Sequence, residues 1–197
     1  MRLLLATHNL GKFKEIMEVM EDLPFEWESL QSLGIQEVAE ETGKTYEENA
    51  LQKARFYAKI SGLPTVADDS GMVVAALAGE LGVHTRRWGA GPEATDEVWL
   101  DFFMKRMANE SNRKAHFVCA AAFAHGDHEH LILGETHGEL ELQIQAPLIP
   151  GIPLSSVFRP LGAEKVYAAL SVEEKNQLSH RGKAFAELKR HLLNWSS

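Results

Sequence analysis

The chain has 197 residues, 45% of them hydrophobic and 24% charged, which suits one globular domain over residues 1–197 with a real core and excludes a disordered chain. A formal net charge of -8 with no basic run excludes a nucleic-acid duplex as partner, yet a few Lys and Arg gathered in one cleft can still bind a small polyanion. No apolar run reaches the roughly 18 residues needed to cross a bilayer, and Met1-Arg2-Leu3-Leu4-Leu5-Ala6-Thr7 turns polar before a signal-peptide core could form, so no membrane is expected and the expected compartment is the cytoplasm.

Residues Arg2 to Ala6 read as a short buried strand. After Thr7-His8-Asn9-Leu10-Gly11 the pattern becomes helical, with Phe13, Ile16, Met17 and Met20 on one face. A second helix starts near Thr45, which has Glu48 three positions on as a capping-box partner. It runs through Ala50, Ala54 and Tyr57, carries Lys53 on its polar face and stops at Gly62. Pro64 opens a short strand, Thr65-Val66-Ala67, expected to end in an acidic turn, Asp68-Asp69-Ser70-Gly71. Thr95 caps a third helix whose Trp99, Phe102, Phe103 and Met107 repeat on the core side. Residues 115–124, 129–133 and 138–144 read as strands joined by Gly-containing turns, an antiparallel section added to an α/β frame. Cys119 lies in the apolar run of the first and is expected to be a buried strand residue. Ser171 with Glu174 makes another capping box, and Ala184, Leu188 and Leu192 mark a final amphipathic helix. The expected fold is α/β: an elongated mixed sheet with flanking helices and two lobes around a central cleft.

Three constellations carry chemistry. In Thr7-His8-Asn9-Leu10-Gly11-Lys12, a strand-to-helix loop offers unpaired N–H groups, a helix dipole and one ammonium, the parts of a phosphate cradle, although the spacing is not that of a P-loop. Glu40-Glu41-Thr42-Gly43 and Asp68-Asp69-Ser70-Gly71 supply carboxylates, and one acid from each suffices for a Mg²⁺ ion that keeps waters and substrate oxygens as its other ligands. Glu174-Lys175 and Ser179-His180-Arg181-Gly182 place two cations and an imidazole around an expected helix break at Gly182, interrupting an otherwise regular amphipathic helix. His125, His128 and His130 fit a hydrophilic turn better than a closed zinc site. Neither Ser70 nor Ser179 sits in a nucleophile elbow, which argues against covalent hydrolysis.

In order, Thr7-His8-Asn9-x-x-Lys12, Glu40-Glu41-Thr42-Gly43, Glu48-Asn49-Ala50 with Lys53-Ala54, Asp68-Asp69-Ser70-Gly71 and Ser179-His180-Arg181-Gly182 resemble the inosine triphosphate pyrophosphatase family over nearly the whole chain. The resemblance implies a magnesium-dependent hydrolase that cuts a nucleoside triphosphate such as ITP, dITP or XTP between its α and β phosphates, clearing deaminated purines from the nucleotide pool. It implies that residues Thr7 to Lys12 hold the triphosphate and that Glu40, with Glu41 beside it as the open alternative, and Asp69 bind Mg²⁺. Asp69 would also orient or deprotonate water, Lys53 would line the phosphate path, and Ser70, Lys175, His180 and Arg181 would complete the nucleotide site. A homodimer is the usual assembly of the family. One stretch departs from it: where the family has Gly-Phe-Gly-Tyr-Asp-Pro-x-Phe, this chain has Gly151-Ile152-Pro153-Leu154-Ser155-Ser156-Val157-Phe158. Ile152, Leu154 and Ser155 thus replace the base-stacking aromatic, the Tyr and the base-reading Asp. Near His84-Thr85-Arg86-Arg87-Trp88 the change is smaller, with Arg87 matching the family Arg.

Overall fold

The computed structural model of the chain describes residues 1–91 and 93–195, without the side chains of His84, Arg86 and Arg87. Among these residues six strands and five helices alternate: β1 (Arg2–Ala6), α1 (Leu10–Met20), β2 (Glu26–Ser29), α2 (Tyr46–Ser61), β3 (Thr65–Val74), α3 (Asp96–Met107), β4 (Lys114–His125), β5 (His128–Leu140), β6 (Phe158–Pro160), α4 (Val172–Leu178) and α5 (His180–Trp195). They form one mixed sheet in the order β2-β1-β3-β4-β5-β6. Its first three strands are parallel and the rest antiparallel, the α/β frame with an antiparallel extension that the sequence implies.

Local chemistry sets the helix ends. Asn9, Thr45, Thr95 and Ser171 each accept a hydrogen bond from a backbone N–H of the first turn, Ser171 within a full capping box with Glu174. Gly62 ends α2 in the left-handed region, at φ 69°. α1 and α5 cover one sheet face with a cluster built on Ile16, Met20, Val66, Phe123, Phe185 and Leu188, and α2 covers the other through Ala50, Ala54 and Tyr57. A separate cluster of Met72, Val74, Trp99, Phe103, Val157 and Phe158 packs α3 against the far ends of the long strands. Phe102 is not buried with it: the ring stays 38% exposed, edge-on to Trp88 at 5.3 Å.

Three expectations are corrected. β3 does not end at Ala67 but continues through Asp68-Asp69-Ser70-Gly71 to Val74, paired residue for residue with β4 (Asp68 with Ala121, Asp69 with Ala120). These residue types suit turns, but the ladder satisfies their backbone groups and cations from three helices meet the carboxylates. The segments 129–133 and 138–144 are not two strands: β5 is continuous to Leu140 and the chain leaves the sheet there. Its Gly134 and Gly138 are close-approach positions, where a Cβ would overlap the carbonyl oxygens of His180 and Arg159. The helix break falls at Ser179, and Gly182 lies inside the first turn of α5, where a side chain would overlap the carbonyl of Asn176.

Candidate active site

β1 pairs with β3 only as far as Ala6 beside Ala67. Beyond that point the edge of β3 is open, and a cleft of about 370 Å³ lies there, past the carboxyl end of the parallel strands. Strand geometry then sorts the acids, because successive side chains point to opposite faces. Asp68 and Ser70 turn towards α1 and α5, whereas Asp69 and Gly71 turn towards α2.

On the first face Lys12 Nζ lies 3.1 Å from Asp68 Oδ2, with Arg181 Nε at 3.7 Å from the same oxygen. Arg181 also donates to Ser70 Oγ at 2.8 Å and pairs with Glu15, which pairs in turn with Lys175. Burial pushes the Asp68 carboxyl towards the neutral form, but the charges of Lys12, Arg181 and Lys53 outweigh it and hold its pKa far below the usual carboxylate range. Asp68 Oδ1 has no hydrogen-bond partner.

On the second face Asp69 accepts from Asn49 Nδ2 at 3.0 Å and lies 3.4 Å from Lys53 Nζ, which also contacts Glu41 at 2.8 Å. Asn49 Oδ1 accepts from Gly43 N–H at 2.9 Å, so one buried amide ties the acidic loop to the acidic strand. Here burial prevails: the Asp69 pKa is raised, the desolvation of its carboxylate being only partly offset by Lys53, Lys12 and Asn49. For Lys53 burial acts downwards, but Asp69, Asp68 and Glu41 together hold its pKa above the ordinary lysine value.

Between the faces sits the N-terminus of α1. Asn9 Oδ1 accepts from Lys12 N–H, leaving the Leu10 and Gly11 N–H groups at the helix start without an intrahelical acceptor. Beside this helix start the cleft is walled by Ile152, Pro153, Leu154 and Ser155, and Trp99, Phe117 and Tyr167 also line it. The one polar side chain in this wall, Ser155, already commits its hydroxyl proton to Ile152 O at 2.6 Å, so it offers no further donor. His180 stacks on Phe117 with ring centres 4.6 Å apart, and its Nδ1 has no hydrogen-bond partner. Burial first, then the Arg181 charge, drives the His180 pKa well below its ordinary value.

The cleft thus brings together Thr7, His8, Asn9, Lys12, Lys53, Asp69, Ser70, His180 and Arg181 from the set read in the sequence. Four other members of that set do not line it. Leu10 is 76% exposed, Gly11 is buried under Pro150, Lys175 acts through Glu15, and Glu40 is exposed while its neighbour Glu41 faces inwards. The Arg87 side chain lies outside the described residues. Asp68, Glu15 and the buried Asn49 belong to the site without having been assigned roles. The spacing of Glu15 three residues after Lys12 on one helix face is a signal that could have found it. Cys119 is buried beneath the site with its thiol pushed up to about 12 by burial. His125 and His130 instead meet Trp195 and His191, ring to ring.

Acids and cations gathered beyond the parallel strands, with the N-terminus of α1 at the same opening, define an α/β protein with an anion-binding cleft. The Ham1 family model matches residues 3–191, and the chain belongs to that family. It is 39% identical to the dITP/XTP pyrophosphatase of Streptomyces avermitilis over 193 residues, 95% of this chain and 94% of that protein. With the dITP/XTP pyrophosphatase of Caldanaerobacter subterraneus the identity is 40% over 196 residues, 98% and 96% of the two chains. The structure of a HAM1 protein from Coxiella burnetii superposes with a TM-score of 0.83 at 32% identity, covering 98% of this chain and 99% of that one. The family resemblance drawn from five motifs therefore holds over nearly the whole chain.

Proposed function

We propose that the chain hydrolyses a nucleoside triphosphate of the ITP, dITP or XTP kind to a monophosphate and pyrophosphate, with Mg²⁺, and so removes deaminated purines from the nucleotide pool. The observation that carries this reading is the division of β3: Asp68 faces Lys12 and Arg181 as their counter-ion, while Asp69 on the other face meets Lys53, Asn49 and, through them, the Glu41 loop. A carboxylate held in the cleft by Asn49 and Lys53 would orient and deprotonate water, and general-base help of this kind is worth about 10² to 10⁴ in rate.

Asp69 and Glu41 would hold the Mg²⁺ ion, with Glu41 favoured over Glu40 because only Glu41 faces the cleft. Oxygen donors on two segments joined by Asn49 fit a hard cation. Among the described residues no group of three His, Cys, Asp or Glu is placed to hold a metal ion by itself, so the proposed ion would depend on waters and phosphate oxygens for the rest of its shell. When bound, the ion would neutralise phosphate charge and polarise the anhydride. The chain's own groups do the rest: the α1 N-terminus, Thr7, Asn9 and Lys12 receive the phosphates, Lys53 lines their path, and Ser70, His180 and Arg181 close the nucleotide side, with Lys175 holding Glu15 in place. The wall of Ile152, Leu154 and Ser155 supports a relaxed choice of base. No described helix is long and apolar enough to cross a membrane; a homodimer acting in the cytoplasm, with residues 1–197 as one domain, completes the proposal.

The test is ITP with and without Mg²⁺, with orthophosphate and pyrophosphate assayed separately. Metal-dependent pyrophosphate is the expected product. Orthophosphate alone would replace this reading with that of a phosphatase, and a folded protein that binds ITP without product would mark a binding paralogue.

A further inference from the structure

The divergent wall is held at one residue from both sides. Gly151 donates its N–H to Asp96 Oδ2 at 2.5 Å, and its carbonyl accepts from Asn9 Nδ2 at 2.9 Å. Asp96 is the first residue of α3, whose Trp99, Leu100 and Phe103 are fully buried, so the carboxylate stands on a rigid element. Asn9 is the N-cap of α1, and its other amide atom holds the Lys12 N–H. The approach leaves no room for adjustment: a Cβ at Gly11 would overlap the Pro150 carbonyl oxygen, and one at Gly151, where φ is +82°, would overlap the Asn9 side chain. Inside the wall, Ile152 N–H donates to Ile149 O at 3.1 Å, and Ser156 Oγ donates to Pro147 O at 3.0 Å. Pro147, Pro150 and Pro153 restrict the same stretch.

From this geometry we infer that Asp96, which does not line the cleft, is a positioning residue that latches the base-facing wall at Gly151 to the phosphate-binding helix start through Asn9. The inference rests on the nucleotide reading of the cleft. From Pro153 onwards the segment is buried, but Pro150, Gly151 and Ile152 are partly or fully exposed and gain their geometry from such anchors, among which a carboxylate on a backbone N–H is a strong one. Losing it frees the stretch from Pro150 to Ile152, ahead of the buried Pro153, Leu154 and Ser155, while the Lys12, Asp68 and Arg181 cluster stays intact. Affinity for the nucleoside part should therefore fall while affinity for phosphate groups alone does not. A merely structural role for Asp96 at the start of α3 would not separate the two.

The experiment titrates inosine monophosphate and, separately, pyrophosphate into the full chain with Mg²⁺ by calorimetry, for the wild type, Asp96→Ala and Asp96→Asn. The expected result is a loss of about tenfold or more in monophosphate affinity for Asp96→Ala, the size of one charge-assisted hydrogen bond, with pyrophosphate affinity unchanged. Asp96→Asn, which keeps an acceptor oxygen, should restore most of the loss. If Asp96→Ala does not fold, Asp96→Ser, too short to reach Gly151, takes its place with the same expectation. Unchanged monophosphate affinity, or equal losses for both probes, would overturn the latch. A wild-type chain that binds neither probe would overturn the nucleotide reading itself, and the latch with it.

Discussion

The two ends of the cleft are built on opposite principles. At the phosphate end, β3, α1, α2 and α5 converge with Asp68, Asp69, Lys12, Lys53 and Arg181, so that each charge has a partner and a change at one leaves another uncompensated. At the base end, a loop of prolines and aliphatic side chains forms a largely apolar surface whose two hydroxyls, Ser155 and Ser156, donate to carbonyls of the same loop. The first end is fixed by electrostatics and tolerates little substitution. The second is fixed by shape and a few anchors, so its side chains can change without disturbing the chemistry.

Substitutions at the phosphate end should break this contrast most severely. Asp69→Asn keeps the size and the Asn49 contact but removes the base, and turnover should fall by about 10³ while the folded protein persists; near wild-type kcat would remove Asp69 from its assigned role. Arg181→Met leaves Asp68 and Glu15 buried with less compensation, a loss on the order of 3 to 5 kcal/mol by the usual cost of breaking a buried pair, readable in urea unfolding. At the base end, Ile152→Phe restores a stacking ring and should tighten nucleoside monophosphate binding by about tenfold, since base stacking contributes about 1 to 3 kcal/mol. The smallest effect is a pH dependence. His180 is held neutral with a depressed pKa, so its contribution to stability is full above the unfolded value of about 6.5 and is lost as pH falls towards the folded value. Urea midpoints from pH 8 to pH 5 should therefore decline less steeply in His180→Phe, and an identical slope would place the sensitivity elsewhere.

The same contrast explains what could be read in the sequence. Helix caps at Thr45, Thr95 and Ser171 and the periodicity of α1 and α5 are local signals, and they gave those helices correctly. Residues such as Lys12, Lys53, Asp69 and Arg181 were legible as cleft-lining because charged residues beside apolar or glycine-containing stretches break local rules. The continuation of β3 through Asp68 and Asp69 was not legible, because its cause is the cations brought from distant helices. Nor was the continuity of β5, since the glycines that look like turns answer to the approach of α5 and β6. Glu41 and Glu40 cannot be told apart by type or spacing; only the loop path turns one inwards. The Asp96–Gly151 contact joins residues 55 apart in sequence and has no local signature.

The central claim, intact phosphate chemistry beside a largely apolar base wall whose cleft-lining hydroxyl, Ser155, has its proton committed to Ile152 O, is tested most directly by kcat/KM for pyrophosphate release. It should be measured across ITP, XTP, dITP and the four standard triphosphates. The expected result is pyrophosphate as the product throughout, with preferences among bases within about 10², the range an apolar pocket can reach without a dedicated hydrogen bond. A preference for one base on the order of 10⁴, or orthophosphate as the product, would contradict it.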